Sequence, residues 1–249
     1  MFVAASSECF PGLSLDGVLQ RLVDLEYTNI EIAIHERDGP IKPSTVLNDL
    51  ESMIAACRET YRLTVSGYSV DIEAEGEEYY RQFAACCRLA KATKVVSLSV
   101  PAGELGTPFN AEIERLQRLV DTASREGVLV SIKTETGRIT QDPDTAVVLC
   151  DNVKGLGITL DPSHYIYGPH AGANYDQVMK HVYNVHLRDT TKDKLQIRVG
   201  QGEVEYSRLV TQLTRAKYHR ALVVHITEMD GVDHAAELRK MRLLLESIV

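Results

Sequence analysis

The chain alternates between short apolar runs rich in β-branched residues and longer amphipathic stretches, and the alternation repeats eight times. Runs of this kind, separated by helical patterns, predict βα units wound into a parallel sheet. The eight predicted strands are FVAASS from Phe2, Thr28–Ile34, Leu63–Val70, Lys94–Val100, Val128–Glu135, Leu156–Asp161, Tyr183–Asp189 and Ala221–Glu228.

Helical patterns lie between the predicted strands, and a last one, DHAAELRKMRLLLESIV, closes the chain. Their ends carry ordinary capping signals: Ser14 and Asp16 at the first, Asp142 with Pro143 at the fifth, and Gly127 after the fourth. Eight strands and eight helices in 249 residues predict a (β/α)8 TIM barrel formed by one domain over residues 1–249. A doubly wound open sheet is the alternative fold.

Composition excludes several classes of protein. A formal charge of -8 repels a phosphate backbone, and no Lys/Arg cluster is interleaved with aromatics, so we expect no nucleic-acid partner. No apolar run approaches the roughly 20 residues that cross a bilayer, and the first residues lack a signal-peptide pattern, so we expect a cytoplasmic protein with no membrane association. Five cysteines without a CxxC pair predict reduced thiols.

Side chains alternate between the two faces of a strand, which assigns each strand residue to the helices or to the barrel axis. In the fifth strand, Val128, Val130 and Ile132 form the outward apolar set, and this leaves Lys133 and Glu135 facing the axis. The same parity turns five further polar side chains inward: Glu31, Asp161, His186, Arg188 and His225.

The inward polar residues of strands five to eight fall at the C-terminal ends of their strands. That end of a barrel is where enzymes of this architecture build their active sites. Burying charge is costly unless the charges compensate one another. The sequence therefore predicts one polar centre formed by Lys133, Glu135, Asp161, His186 and His225.

Two motifs resemble those of the xylose-isomerase-like barrel superfamily, the sugar phosphate isomerases and epimerases. GLGITLDPSHYIYG is similar to the sixth-strand motif, with Asp161 at a metal-ligand position and His164 at a substrate-contacting position. VYNVHLRDTTKDKLQIRVGQGEVEY is similar to the seventh-strand motif, with His186 as a ligand and a Gly200-Gln201-Gly202 turn after it. The resemblance implies proton transfer beside a sugar carbonyl.

The chain departs from that family at two positions. The family carries a glutamate at the end of strand five, where IKTETG aligns Lys133, and another in strand eight, where LVVHITE aligns His225. In the family both glutamates bind the metal ion and move the substrate proton. In direct register, this chain lacks both.

The sequence leaves three interpretations of the centre open. In the first, Glu135, Asp161, His186 and His225 form a rearranged site for Mn²⁺ or Zn²⁺, with Glu228 as an alternate ligand. The Lys133 ammonium argues against this interpretation, because it would repel the metal ion. Two like unit charges about 4 Å apart repel by roughly 4 kcal/mol at an effective dielectric near 20.

In the second interpretation, the Lys133 ammonium replaces the ion by neutralising Asp161 and Glu135, and His225 is the acid or base. Nearby carboxylates should raise the pKa of Lys133, which argues against a Schiff base. Lys133, Glu135 and His225 are then the catalytic residues. In the third, the barrel has lost the metal and the chemistry, and it only binds a sugar.

Three further residues are predicted to contact substrate. His164 follows strand six, Arg188 faces inward on strand seven, and Arg198 precedes the Gly200-Gln201-Gly202 turn, where barrels often bind phosphate. The expected partner is a small carbohydrate, and a homodimer is expected by analogy with relatives of this size. A DNA-repair nuclease is set aside, because the first three strands offer only His35 as a zinc ligand.

Overall fold

The computed structural model describes residues 1–249, and its eight strands form a closed barrel in which every neighbouring pair is parallel. The barrel closes where β1 pairs with β8, with Val3 opposite Leu222. The strands are β1 Phe2–Ser6, β2 Asn29–His35, β3 Thr64–Asp71, β4 Ser97–Val100, β5 Leu129–Lys133, β6 Leu156–Leu160, β7 Val182–Leu187 and β8 Ala221–Val224. The predicted (β/α)8 TIM barrel is confirmed.

Nine α-helices surround the strands. They are α1 Leu15–Asp24, α2 Pro43–Asn48, α3 Leu50–Arg58, α4 Gly76–Thr93, α5 Phe109–Arg125, α6 Pro143–Asn152, α7 Ser163–Ile166, α8 Tyr206–Arg215 and α9 His234–Glu246. Short 3₁₀ turns cover Ser7–Cys9, Ile139–Gln141 and Asp176–His181. No helix is both long enough and apolar enough to cross a membrane.

The capping signals read from the sequence are present. Ser14 accepts a hydrogen bond from the amide of Gly17 at the start of α1, and Asp142 accepts from Asp144 and Thr145 at the start of α6. Gly127 has a φ of 72°, the left-handed conformation that ends a helix without a side-chain clash.

Two helical predictions were wrong in detail. The second predicted helix divides into α2 and α3 at Asp49, whose side chain accepts from the amide of Ser52 and so caps α3. A side chain that caps its own backbone competes with a continuous helix. The segment YDQVMKH forms the 3₁₀ turn Asp176–His181 instead of an α-helix.

The barrel has two kinds of interior. Outside the strands, the outward side chains Val130, Ile132 and Ile158 join 57 other buried residues in one apolar core against the helices. Inside, Ala4, Ala221 and Val223 form a small separate apolar cluster. Hydroxyl groups form a second interior patch, in which Thr159 lies 2.7 Å from both Ser99 and Ser131.

Candidate active site

Strands β5 and β8 end earlier than the sequence predicted, and part of the polar centre lies just past strand ends. β5 ends at Lys133, so Glu135 lies in the following loop, and β8 ends at Val224, so His225 is the first residue after it. The His225 amide still donates to the carbonyl of Leu187 at 2.9 Å, which continues the ladder by one residue.

Glu8 lies at the middle of this centre, and the sequence analysis missed it. Its carboxylate is 2.9 Å from Nε2 of His225, accepts from Ser69 at 2.7 Å, and is 3.7 Å from Nζ of Lys133. Nε2 of His35 is 3.5 Å away. Burial raises the pKa of Glu8, but the charge of Lys133 and the hydrogen bond from His225 outweigh this effect and hold the pKa well below its usual range. Glu8 is therefore an anion that joins four strands.

Parity is the signal that could have identified Glu8. Ala4 belongs to the interior cluster, and side chains of a strand alternate between its faces. Counting every second residue from Ala4 leads through Ser6 to Glu8, which is thereby assigned to the interior face. The predicted strand stopped at Ser7, because Ser7–Cys9 lack the apolar alternation, and in the structure these residues form a 3₁₀ turn. The turn places the Glu8 carboxylate over the barrel mouth.

Both nitrogens of the His225 ring are engaged. A guanidinium only donates hydrogen bonds, so Arg188, whose terminal nitrogen lies 2.5 Å from Nδ1, fixes Nδ1 as the acceptor. Nε2 then carries the proton and donates to Glu8. Burial lowers the pKa of His225 to about 4 against the raising effect of Glu8, so the ring is neutral at pH 7.

Asp161 pairs with Arg188 beside that ring. Oδ2 of Asp161 accepts from Nε of Arg188 at 3.0 Å, and Oδ1 accepts from the amide and the hydroxyl of Ser163. Burial raises the pKa of Asp161, but the positive charge of Arg188 outweighs this effect and lowers the pKa to about 2. The predicted pairing of Lys133 with Asp161 was wrong, because Arg188 occupies that position.

His164 contributes a hydrogen-bond donor to the centre. Its Nδ1 accepts from the amide of Thr136 at 3.0 Å, so in the neutral ring the proton is on Nε2, which lies 3.8 Å from Asp161. Burial lowers the pKa of His164, which keeps the ring neutral. His164 thus presents an N–H to the barrel mouth from α7.

Glu31 and His186 form a second pair deeper in the barrel. Nε2 of His186 is 2.6 Å from Oε1 of Glu31, and Oε2 of Glu31 accepts from the Asn184 amide at 2.6 Å. Only 1% of Glu31 is exposed. The ring of His186 lies 4.8 Å from that of His225, so the pair belongs to the same centre.

Lys133 and Glu135 have side chains with unused hydrogen-bonding capacity. Lys133 is 8% exposed, and its ammonium makes no hydrogen bond within the protein. Burial alone would lower the pKa of Lys133, but the carboxylates of Glu8 and Glu135 outweigh it and raise the pKa, as predicted. The half-buried Glu135 carboxylate has neither an ion pair nor a hydrogen bond.

A family model for the xylose isomerase-like TIM barrel matches residues 19–246. The chain belongs to the xylose isomerase-like TIM barrel family. Solved structures share the fold at low identity. A 3-keto-D-glucoside 4-epimerase from E. coli is 16% identical, with a TM-score of 0.75 and coverage of 99% of both chains. A D-allulose 3-epimerase from Methylomonas sp. is 12% identical, with a TM-score of 0.76 and coverage of 100% of this chain and 98% of that one.

A third structure with this fold, the IOLI protein with a bound zinc atom, is 14% identical, with a TM-score of 0.75 and coverage of 100% of this chain and 99% of that one. No functionally curated protein matches the chain. The structural neighbours include sugar epimerases and isomerases, and at these identities they establish the fold.

The residues of this centre do not fit a divalent metal ion. The four predicted ligands, Glu135, Asp161, His186 and His225, do not surround one point, and no group of three His, Cys, Asp or Glu side chains is arranged to hold an ion. Arg188 lies between Asp161 and His225 and bonds to both. A cation at that position repels a dication. The alternate ligand Glu228 is exposed, against the groove formed by Phe10 and His234.

Arg198 lies apart from this centre as an exposed side chain that makes no hydrogen bond. The turn beside it has a structural role, because the amides of Gly200 and Gly202 donate to Oδ2 of Asp189 at 2.7 and 3.0 Å. Amides that already bind a carboxylate are not available to a phosphate group. A contact between Arg198 and substrate stays a prediction.

Proposed function

We propose that this family member is an isomerase- or epimerase-type enzyme that acts on a small polyhydroxylated carbonyl compound. The reaction is proton transfer at the carbon next to the carbonyl, and Lys133 supplies the positive charge at the carbonyl oxygen. Family membership supports the reaction class, and the side chains of the barrel mouth support the details.

The observation that carries the proposal is the state of the Lys133 ammonium. It is buried at the end of β5, lies 3.7 Å from Glu8, and has all three N–H donors uncommitted. When a carbon beside a carbonyl loses its proton, negative charge develops on the carbonyl oxygen. A preorganised ammonium in a buried site stabilises that charge without solvent reorganisation.

Two further groups are placed to hold hydroxyl groups of the substrate. His164 offers the Nε2 proton, and Glu135 offers a carboxylate without a protein partner. A donor and an acceptor at one mouth suit a polyol, whose hydroxyls both donate and accept. Arg198, an exposed residue on the loop after β7, is proposed as a contact for a distal part of the substrate.

The test is isotope exchange in D₂O. The purified protein is incubated with D-fructose, D-ribulose and scyllo-inosose, and deuterium at the carbon beside the carbonyl is followed by NMR, while the metal content of the same sample is measured. We expect exchange with at least one probe and its loss in Lys133→Met. Lys180→Met is the matched control, since Lys180 is an exposed lysine that pairs with Asp151.

A sugar-binding barrel without catalysis is the second candidate. It is favoured by the hydrogen bonds of His225, whose two ring nitrogens are already bonded to Glu8 and Arg188 and so are not free to move a substrate proton. The same panel decides between them. Binding of a probe by calorimetry without any deuterium incorporation supports the binding protein and excludes the enzyme.

A further inference from the structure

The Glu31–His186 pair fixes which nitrogen of His186 carries the proton. Burial raises the pKa of Glu31, but His186 outweighs it and leaves the pKa lowered, so Glu31 is a carboxylate and only accepts hydrogen bonds. Nε2 of His186 must then be the donor across the 2.6 Å contact. In the neutral ring, Nδ1 is then left with an unshared electron pair.

Nδ1 of His186 has no hydrogen-bond partner in the protein. Four buried side-chain atoms are both unpartnered and sealed from solvent, namely Oε1 of Gln82, Nε2 of His181, the Tyr206 hydroxyl and Nε of Arg242. Nδ1 of His186 is not among them, so this atom retains some solvent-accessible surface although the residue is only 2% exposed. An acceptor nitrogen in a buried imidazole is thus both unpartnered and accessible.

The other imidazoles of the centre cannot offer the same group. Arg188 occupies the acceptor nitrogen of His225, and the Thr136 amide occupies that of His164. The His35 ring bonds to Ser69 through Nε2 and turns Nδ1 toward Asp38, 3.6 Å away at the exposed rim. His186 is the centre's one inward imidazole with an open acceptor.

We infer that Nδ1 of His186 is the atom that accepts the substrate proton, and that Glu31 is the positioning residue that holds the ring in this tautomer. The inference rests on the proposed function and assigns its base. A carboxylate behind an imidazole orients the ring and stabilises the imidazolium that forms. Base and cation belong to one cluster of side chains, because Glu8 contacts both Lys133 and His225, and the His225 ring lies 4.8 Å from the ring of His186.

Nδ1 of His186 takes the proton from the carbon next to the carbonyl, and the electron pair of that C–H bond forms the C=C bond of an enediolate. The carbonyl π pair moves onto oxygen, beside the Lys133 ammonium. The imidazolium returns the proton to carbon and restores the carbonyl. While it exists, its Nδ1 proton exchanges with solvent, so deuterium enters the substrate.

The tautomer is tested without any substrate. In protein labelled with ¹⁵N-histidine, two-bond ¹H–¹⁵N spectra distinguish a protonated from an unprotonated ring nitrogen, and the His186 signals are assigned by their loss in His186→Gln. We expect protonated Nε2 and unprotonated Nδ1 at pH 7. A proton on Nδ1 and an unshared pair on Nε2 overturns the inference.

Glu31→Gln tests the positioning role. The amide is the same size and can either donate to the ring or accept from it, so we expect a mixed or reversed tautomer for His186, with a circular dichroism spectrum like that of the wild type. If the variant fails to fold, the wild-type spectrum alone decides. Unchanged His186 signals in a folded Glu31→Gln protein contradict the role of Glu31.

Exchange kinetics test the base itself, with the active probe from the panel above. We expect His186→Gln to slow deuterium incorporation at least about 100-fold, as loss of a general base does. His181→Gln, which removes a ring outside the centre whose Nε2 lies 3.1 Å from Oδ1 of Asp151, is the control. Undiminished exchange in His186→Gln overturns this inference and leaves the proposed function standing. If the wild-type protein shows no exchange, the proposed function is refuted. The tautomer of His186, measured without substrate, then still tests the geometry inferred for the Glu31–His186 pair.

Discussion

Arg188 lies against Asp161 in the barrel mouth, with Nε and a terminal nitrogen each 3.0 Å from Oδ2 of the carboxylate. Both side chains are less than a tenth exposed. The resemblance of the sixth-strand motif implies a metal-ligand position at Asp161, and in this structure Arg188 supplies the counter-charge to that carboxylate from the protein itself. The first prediction concerns its stability.

Arg188→Met is expected to destabilise the protein by about 3 to 5 kcal/mol, because it leaves the Asp161 carboxylate buried without a counter-charge. The free energy of unfolding in urea, measured at pH 7, gives the value. The double variant Asp161→Asn/Arg188→Met should regain part of the loss, since neither charge is then left alone.

Arg208→Met is the control for Arg188→Met. Arg208 pairs with Glu205 and Asp176 on the surface, where an ion pair contributes about 1 kcal/mol or less. Equal losses in the two arginine variants would contradict the assignment of Arg188 as a buried counter-charge.

The sequence predicted the fold because the fold depends on many positions at once. Outward residues such as Val130, Ile158 and Leu222 repeat with period two in every strand, and each is buried beneath the helices. The error at Asp49 has a local cause, because one side chain that caps α3 interrupts an otherwise continuous amphipathic pattern.

The site was predicted less completely, because it depends on contacts between strands that parity cannot assign. Parity correctly turned Lys133, Asp161, His186 and Arg188 inward, and each is buried. It could not tell that Lys133 would meet Glu8, or that Arg188 would bond to both Asp161 and His225. Glu8 lay beyond the apolar run of β1, in a turn that carries no strand pattern.

The second prediction is a loss of stability between pH 6.5 and pH 4 caused by His225. Its folded pKa is about 4, below the ordinary histidine value near 6.5, so the unfolded chain binds a proton that the folded protein excludes. The contribution is complete above pH 6.5 and falls as the pH falls. By pH 5 the loss of stability amounts to about 2 kcal/mol, since one pH unit corresponds to about 1.4 kcal/mol.

Urea unfolding at pH 7, 6 and 5 measures this slope. His225→Gln, which cannot be protonated, should flatten the profile over that range, and His219→Gln, on the loop before β8, should leave it unchanged. A wild-type profile that stays level down to pH 5 would contradict the burial of a neutral ring at this position.

The third prediction is that Gly202→Ala destabilises the loop after β7. A Cβ at Gly202 would lie 2.0 Å from Oδ1 of Asp189 and 2.6 Å from the Thr190 carbonyl oxygen, so the Asp189 carboxylate must leave the amides that it binds. Forcing atoms into such a packed position costs about 1 to 3 kcal/mol. The unfolding free energy should fall by that amount.

The matched control is Gly17→Ala in α1, where the nearest atom to a Cβ is Oγ of Ser14 at 3.4 Å. Alanine is the better helix former by about 1 kcal/mol, so this variant should be as stable as the wild type or more stable. Equal destabilisation by the two substitutions would mean that Asp189 does not organise the turn.

The fourth prediction is that a metal site can be introduced by exchanging charged side chains. Lys133→Glu and His225→Glu place carboxylates at the two positions where the family has them, and Arg188→Ala removes the guanidinium between Asp161 and the ring. The triple variant thus removes two positively charged side chains and adds two carboxylates beside Asp161 and His186. Because carboxylate and imidazole ligands suit Mn²⁺, the triple variant should bind one equivalent in a calorimetric titration.

The comparison variant for that titration is Lys133→Met/Arg188→Ala/His225→Gln, which loses the same positive groups but gains no carboxylate. The comparison variant shows whether Mn²⁺ binds because the repelling cations are gone or because new carboxylate ligands are present. If both triple variants bind Mn²⁺ equally, removal of the cations is sufficient. Wild-type protein that binds Mn²⁺ as tightly as the carboxylate variant would refute the prediction, because Arg188 would then have to yield its place between Asp161 and His225.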